Sequence, residues 1–201
     1  MSESIERVSA SRLVLASGSP RRRELLAEAG IEAVCEPTDV EELTVADGPP
    51  YGLALANAEL KAMSIALSRP DRIVLGADTI VVFEGDVYGK PRDHDHAFEM
   101  LSRLVGHVHE VITGVCLVEW GRTAMVKFHE VTRVRFKRLS AEEIQAYLAS
   151  IDPLDKAGAY AAQEDDGRII ECLEGSFSNV VGLPIERVRE ALVANFPGEL
   201  A

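Results

Sequence analysis

The apolar run Leu13-Val14-Leu15-Ala16 stops at Ser17-Gly18-Ser19-Pro20 and is followed at once by Arg21-Arg22-Arg23, a pattern that reads as strand, tight turn, helix. Ser19 suits the N-cap, Pro20 suits the first helical position where a missing N–H leaves no bond unmade, and Glu24 to Ala29 carries the helix to a stop at Gly30. The charge runs against this local grammar. A helix N-terminus bears partial positive charge, so cations in its first turn are disfavoured by roughly 0.3–1 kcal/mol each. Three arginines there make sense if an anion sits in front of them, where free backbone N–H groups and guanidinium forks converge on phosphate oxygens. The alternative is three solvated arginines around an ordinary capped helix.

At 201 residues and 47% hydrophobic the chain can bury a full core, and its length suits one domain, 1–201, or two closely joined lobes, with residues 1 to about 10 loosely attached. A formal net charge of −12 argues against stable nucleic-acid or membrane binding, because both are polyanions. A small phosphorylated ligand is compatible with it, since screening over about 8 Å lets a local basic pocket act independently of the global charge. No apolar run approaches the roughly 18–20 residues of a membrane span. Met1 to Ser11 is polar and acidic, unlike a signal peptide, and Cys35, Cys116 and Cys172 lie far apart without paired spacing. These features point to a cytoplasmic protein.

Further along, Glu32 to Val34 reads as a second strand. Pro49-Pro50 opens a helix to about Leu67, with an apolar stripe at Leu53, Ala56, Leu60, Met63 and Leu67 and with Asn57 and Lys61 one turn apart beside it. Ile73-Val74-Leu75 and Ile80-Val81-Val82-Phe83 read as buried strand segments interrupted by Gly76-Ala77-Asp78-Thr79. Glu84-Gly85-Asp86 is a hairpin turn, Asp95 to Leu104 a helix, and His109 to Thr113, Val115 to Glu119 and Ala124 to Lys137 are strands. Arg133, Arg135 and Lys137 alternate with Val134 and Phe136, which in so acidic a chain reads as the wet face of an antiparallel strand rather than an RNA surface. Ser140-Ala141-Glu142-Glu143 is a capping box, and a last helix runs from Pro184 or Ile185 to about Asn195. Helices alternating with strands, some in hairpins, predict an α/β fold with a mixed twisted sheet flanked by helices.

Asp78 is the foremost candidate for chemistry, because a carboxylate between buried strand segments is costly unless a cation, a metal or a set of donors meets it. Bonding to the backbone of a turn is the bland alternative. Glu42, beside Glu41, is either a metal ligand or part of an acidic loop; Lys61 and Lys90 either hold phosphates as point charges or are solvated. In Asp155 to Gln163, small residues admit a ligand or a neighbouring backbone, and the Gln163 amide can read a base edge. His94 with His96, and His107 with His109, would each share one side of a strand, but no Cys or carboxylate spacing completes a ligand set. Neither a Walker-type loop nor Gly-x-Gly-x-x-Gly is present.

Leu15 to Arg22, Gly76-Ala77-Asp78-Thr79, Gly89-Lys90-Pro91, Asp155 to Tyr160 and Asn179 to Pro184, taken together, resemble the Maf family of nucleoside triphosphate pyrophosphatases over about Leu13 to Leu192. The resemblance implies two lobes with an active-site cleft between them, and hydrolysis between the α and β phosphates assisted by Mg²⁺ or Mn²⁺. It implies Asp78 as proton acceptor, with Ser17, Arg22, Glu42, Lys61 and Lys90 lining the cleft and Glu42 and Asp78 as metal ligands. Arg21, Thr79 and Gln163 match positions linked to dTTP and UTP choice, although Ala161-Ala162 replaces the Gly-Ile common in that branch. The lysines are expected to neutralise the leaving pyrophosphate. Rival readings are a pyrophosphatase for modified or other nucleotides such as 7-methyl-GTP, a non-hydrolysing nucleotide sensor, and a phosphatase releasing orthophosphate. A homodimer fits an enzyme of this size, but no stretch marks its interface.

Overall fold

Strand β1 (Leu13–Leu15) is buried at all three positions and ends at Ser17, where the chain turns into helix α1 (Pro20–Glu28). Gly30, at φ +68°, stops the helix: its N–H donates to Ala27 O at 3.0 Å while Ile31 N–H reaches Leu26 O at 2.9 Å. The start differs from expectation. Ser19 occupies the N-cap position but its side chain caps nothing; Ser17 Oγ instead accepts the Ser19 N–H at 3.2 Å. The computed structural model describes residues 12–45 and 47–197, so the expectations that residues 1 to about 10 are loosely attached and that Met1 to Ser11 is no signal peptide fall outside the described residues.

The remaining elements are β2 (Val34–Cys35), α2 (Pro50–Ala66), β3 (Ile73–Phe83), β4 (Asp86–Tyr88), α3 (His94–Leu104), β5 (Val108–Glu119), β6 (Ala124–Phe136), α4 (Ala141–Leu148), β7 (Ile170–Glu174), α5 (Phe177–Val181) and α6 (Ile185–Asn195). One sheet runs in the order β2-β1-β3-β5-β6-β7, with β4 on β3. β1 is parallel to both its neighbours and the other pairings are antiparallel, so the sheet is mixed, as the alternation of elements predicts. The Ser140 capping box forms, and Glu84 and Gly85, at φ 52° and 87°, make the predicted hairpin. Arg133, Arg135 and Lys137 are exposed between buried Val134 and Phe136, with Arg133 paired to Glu174. His94 and His96 open α3 and do not share a strand.

Two expectations fail together. Gly76 to Thr79 does not interrupt anything: β3 is continuous through Asp78, which therefore sits mid-strand opposite Gly114 of β5 and is no turn aspartate. The stripe assigned to α2 is also misplaced, for Leu60 and Leu67 are 40% and 59% exposed, while Leu53, Ala54, Asn57, Ala58, Lys61, Ala62 and Ile65 face inward. The cause is a close backbone approach. A Cβ on Gly76 would stand 2.1 Å from Ala58 O, and one on Gly114 2.4 Å from the Ala54 carbonyl, so α2 rests on glycine notches and only small residues fit beneath it. This approach lowers Asn57 and Lys61 onto Asp78. Gly76→Val is expected to destabilise the protein by about 3 kcal/mol or more, measured by urea unfolding, because a backbone carbonyl must move.

Two cores flank the middle of β3. Leu13, Leu15, Leu26, Leu75, Leu117, Leu192 and Phe196 pack with α1 and α6, whereas Val81, Phe83, Leu101, Phe136, Tyr147 and Tyr160 pack with α3 and α4. Asp78 and Thr79 lie where one of these cores gives way to the other. His109 belongs to the second core. Its Nε2 lies 3.1 Å from Tyr160 Oη, its ring meets Phe136 edge-on, and its Nδ1 is buried without a hydrogen-bond partner among the described residues. Burial lowers its pKa to about 4. The unfolded imidazole, near 6.5, then binds a proton the native one refuses, so stability is lost as pH falls from 6.5 towards 4, by about 3 kcal/mol in all. Urea midpoints across that range should show this slope in the native chain and its loss in His109→Gln.

Candidate active site

A cavity of about 680 Å³ opens at the junction of the two cores. Ser17, Arg21 and Arg22 line it from the β1–α1 turn, Asp78 and Thr79 from the centre of β3, and Lys61 from α2. Glu42 enters from the loop before α2, Lys90 from the segment after β4, and Gln163 from a short 3₁₀ turn over Ala162–Glu164. All nine sequence-predicted residues therefore share one hollow. Arg23 does not: it is exposed and outside the lining, so two of the three arginines face the cavity.

The carboxylate wall is organised by Lys61. Its Nζ lies 2.7 Å from Asp78 Oδ1 and 2.7 Å from Glu42 Oε1, with Ala77 O at 3.5 Å. Asp78 Oδ2 accepts from Asn57 Nδ2 at 3.1 Å, so both oxygens of the buried acid are bonded. Burial alone would raise the pKa of Glu42, but the hydrogen bond and charge of Lys61, with the charges of Lys90 and Arg22, hold it below its ordinary value. Lys61 thus bridges the two carboxylates on the cavity lining, with its third contact, to Ala77 O, the longest. Lys90 is exposed on the cavity wall and has no ion pair among the described residues.

Arg22 and Arg21 supply the cationic part of the lining. Arg22 donates from Nε to Gly182 O at 2.9 Å, from one terminal nitrogen to Ser17 Oγ at 3.2 Å and from the other to Thr79 Oγ1 at 3.1 Å. Burial pulls its pKa below the ordinary value against the charges of Asp78 and Glu42, yet a guanidinium stays protonated in water-accessible pH. Thr79 Oγ1 is in turn 2.9 Å from Thr113 Oγ1, which anchors it to β5. Arg21 reaches across to Asp155, bonding Oδ2 at 2.9 Å and the backbone O at 3.2 Å. Asp155 Oδ1 accepts from buried Lys156 at 2.8 Å, so this exposed pair is fixed from below.

Asn57, Asp155 and Lys156 also line the cavity and stand outside the site residues named from sequence. Asn57 could have been found from its place one turn before Lys61 among alanines, and Lys156 from the small-residue run that follows it. Guanidinium groups, an exposed lysine, a helix N-terminus and carboxylates lining one hollow are chemistry that can take a polyanion together with a cation. Fold and site together define an α/β protein whose mixed sheet, flanked by helices, carries a cavity of about 680 Å³ lined by cations and carboxylates. The sequence pattern of the family described as Maf-like protein matches residues 12–195, and the chain belongs to the Maf family. It is 46% identical over 180 residues to a protein of Bacillus cereus (strain ATCC 10987 / NRS 248) named dTTP/UTP pyrophosphatase, covering 89% of this chain and 88% of that one. A protein of the same name from Geotalea uraniireducens (strain Rf4) is 45% identical over 182 residues, covering 90% and 94%. No helix among the described residues is long and apolar enough to cross a membrane.

Proposed function

We propose that this chain, acting as one catalytic unit, hydrolyses dTTP and UTP to the nucleoside monophosphate and pyrophosphate. The observation that carries this reading is the one cavity lined by the Asp78–Lys61–Glu42 cluster together with Arg21, Arg22 and Lys90, and the names of the relatives support the substrate class. Water adds to the α-phosphorus, the bond from that phosphorus to the bridging oxygen breaks, and the leaving group departs as pyrophosphate. Asp78 receives the proton of the attacking water. Arg21, Arg22, Lys90 and the N-terminus of α1 meet the charge that builds on the leaving oxygens, where preorganised cations contribute most. Lys61 bridges the two carboxylates and holds them close together. Gln163 and Thr79 face the base and sugar.

Two carboxylates that share one ammonium supply hard oxygen donors of the kind Mg²⁺ and Mn²⁺ prefer, and Glu42, held ionised, is half exposed. Mg²⁺ and Mn²⁺ commonly complete their shells with phosphate oxygens and water. The residues thus fit a divalent ion on Glu42 and Asp78; when bound, it supplies Lewis-acid stabilisation and lowers the pKa of bound water. The test is a panel of dTTP, UTP, CTP, GTP and 7-methyl-GTP with Mg²⁺ or Mn²⁺, scoring pyrophosphate against orthophosphate. Pyrophosphate from dTTP and UTP is expected. Orthophosphate, binding without turnover, or preference for 7-methyl-GTP would each replace this reading by one of its rivals.

A further inference from the structure

We propose that Asn57 is a positioning residue for the reaction: one buried amide fastens the loop that carries Glu42 to helix α2 and to Asp78 at the same time. The inference rests on the pyrophosphatase reading above and extends it to a residue that would not touch substrate.

Asn57 is 2% exposed, and its hydrogen bonds are matched on both ends. Oδ1 accepts the Leu43 N–H at 2.8 Å; Nδ2 donates one hydrogen to Leu43 O at 3.0 Å and the other to Asp78 Oδ2 at 3.1 Å. The first two bonds imitate a strand partner for a peptide unit that has none, because residues 36–45 contain no helix or strand. The segment's other side-chain ties, Thr38 to Ser64 and Glu36 to Arg69, are exposed and lie towards its start. At Glu42 itself the loop is held by Lys61 and, one residue on, by Asn57. These two side chains stand one helical turn apart, and each binds a different oxygen of Asp78, so the acid is oriented from both sides by the same face of α2. Only a primary amide offers an acceptor and two donors in this geometry. A carboxylate would lose both donors and face Asp78 as a like charge, and an apolar side chain would leave the Leu43 peptide groups unpaired.

The experiment compares the native chain with Asn57→Leu and Asn57→Ser, reading pyrophosphate release from dTTP with Mg²⁺ and amide hydrogen exchange by mass spectrometry. Loss of the amide is expected to lower kcat about 10–100-fold, the range for partners that orient ligating or reacting groups, with KM changed less than about threefold. Exchange should accelerate over the segment containing Leu43 while β3 stays protected. Adding Glu42→Gln to the Asn57→Leu variant should cost far less than the same change in the native chain, because the loop is already released. Unchanged kcat, multiplicative losses in the double variant, a rise in KM alone, or unaltered exchange at Leu43 would each overturn the assignment. If Asn57→Leu does not fold, Asn57→Ser carries the same comparison without adding bulk beneath the loop. A native chain that releases no pyrophosphate from dTTP overturns the functional reading instead, and exchange at Leu43 then still decides whether the clamp exists.

Discussion

Asp78→Asn is expected to reduce kcat for pyrophosphate release by about 10²–10⁴-fold, the range for loss of a positioned proton acceptor. The substitution keeps the side chain's size, so the notch between β3 and α2 stays filled. Its carbonyl oxygen can still accept from Lys61, across the 2.7 Å that the carboxylate bond spans. What changes is the other oxygen, which becomes an amide nitrogen facing the Asn57 donor 3.1 Å away. That local donor–donor conflict costs some stability without removing the fold, and circular dichroism with a urea midpoint separates the two effects. Single-turnover kinetics on dTTP gives the decisive reading. Near-native turnover in a folded variant would remove Asp78 from the chemistry and take the proposed mechanism with it.

Lys61→Met is expected to be the most destabilising single change in the cavity, by about 3–5 kcal/mol, because removal of one partner strands a buried charge. The Lys61 and Asp78 side chains are 10% and 8% exposed, so solvent cannot replace the lost ammonium. Methionine fills the volume, which confines the loss to electrostatics. The pH dependence has a definite sign. Glu42 is held below its ordinary pKa chiefly by Lys61 against the penalty of burial, so its contribution is present above the ordinary carboxylate range and fades as pH falls through it. The stability gap between native protein and variant should therefore be widest near pH 7 and narrow below about pH 4.5. A gap that stayed constant or widened on acidification would mean that packing, and not charge, is what Lys61 supplies. Activity should fall as well, since both carboxylates lose the group that spaces them.

Much of the site was legible in the chain alone. The strand–turn–helix around Ser17 follows from an apolar run, a proline at the first helical position and a glycine stop, all of which act within a few residues. That Arg21 and Arg22 would stand at a shared hollow with Asp78 was legible too, since arginines in the first turn of a helix are unfavourable by themselves. What each arginine meets was not, because that depends on the direction of each side chain around the helix: Arg22 meets Thr79 and Gly182, Arg21 meets Asp155, and Arg23 meets solvent. Lys61 and Asn57 were visible as neighbours one turn apart. Their shared partner Asp78, 17 and 21 residues away along the chain, was not.

What the sequence determined by itself is local: the order of elements, the mixed sheet implied by hairpins among helices, the capping box, the hairpin turn, and which charged residues line the cavity. What only the tertiary structure decided is the face that α2 buries, the continuity of β3 through Asp78, and the pairing of that acid with Lys61 and Asn57. The reason is physical. Hydrophobic periodicity tells which side chains avoid water, but says nothing of how near two backbones come. Here Gly76 and Gly114 let α2 sink until its alanines touch the sheet, which sends the larger leucines outward and brings a lysine and an asparagine over a mid-strand carboxylate.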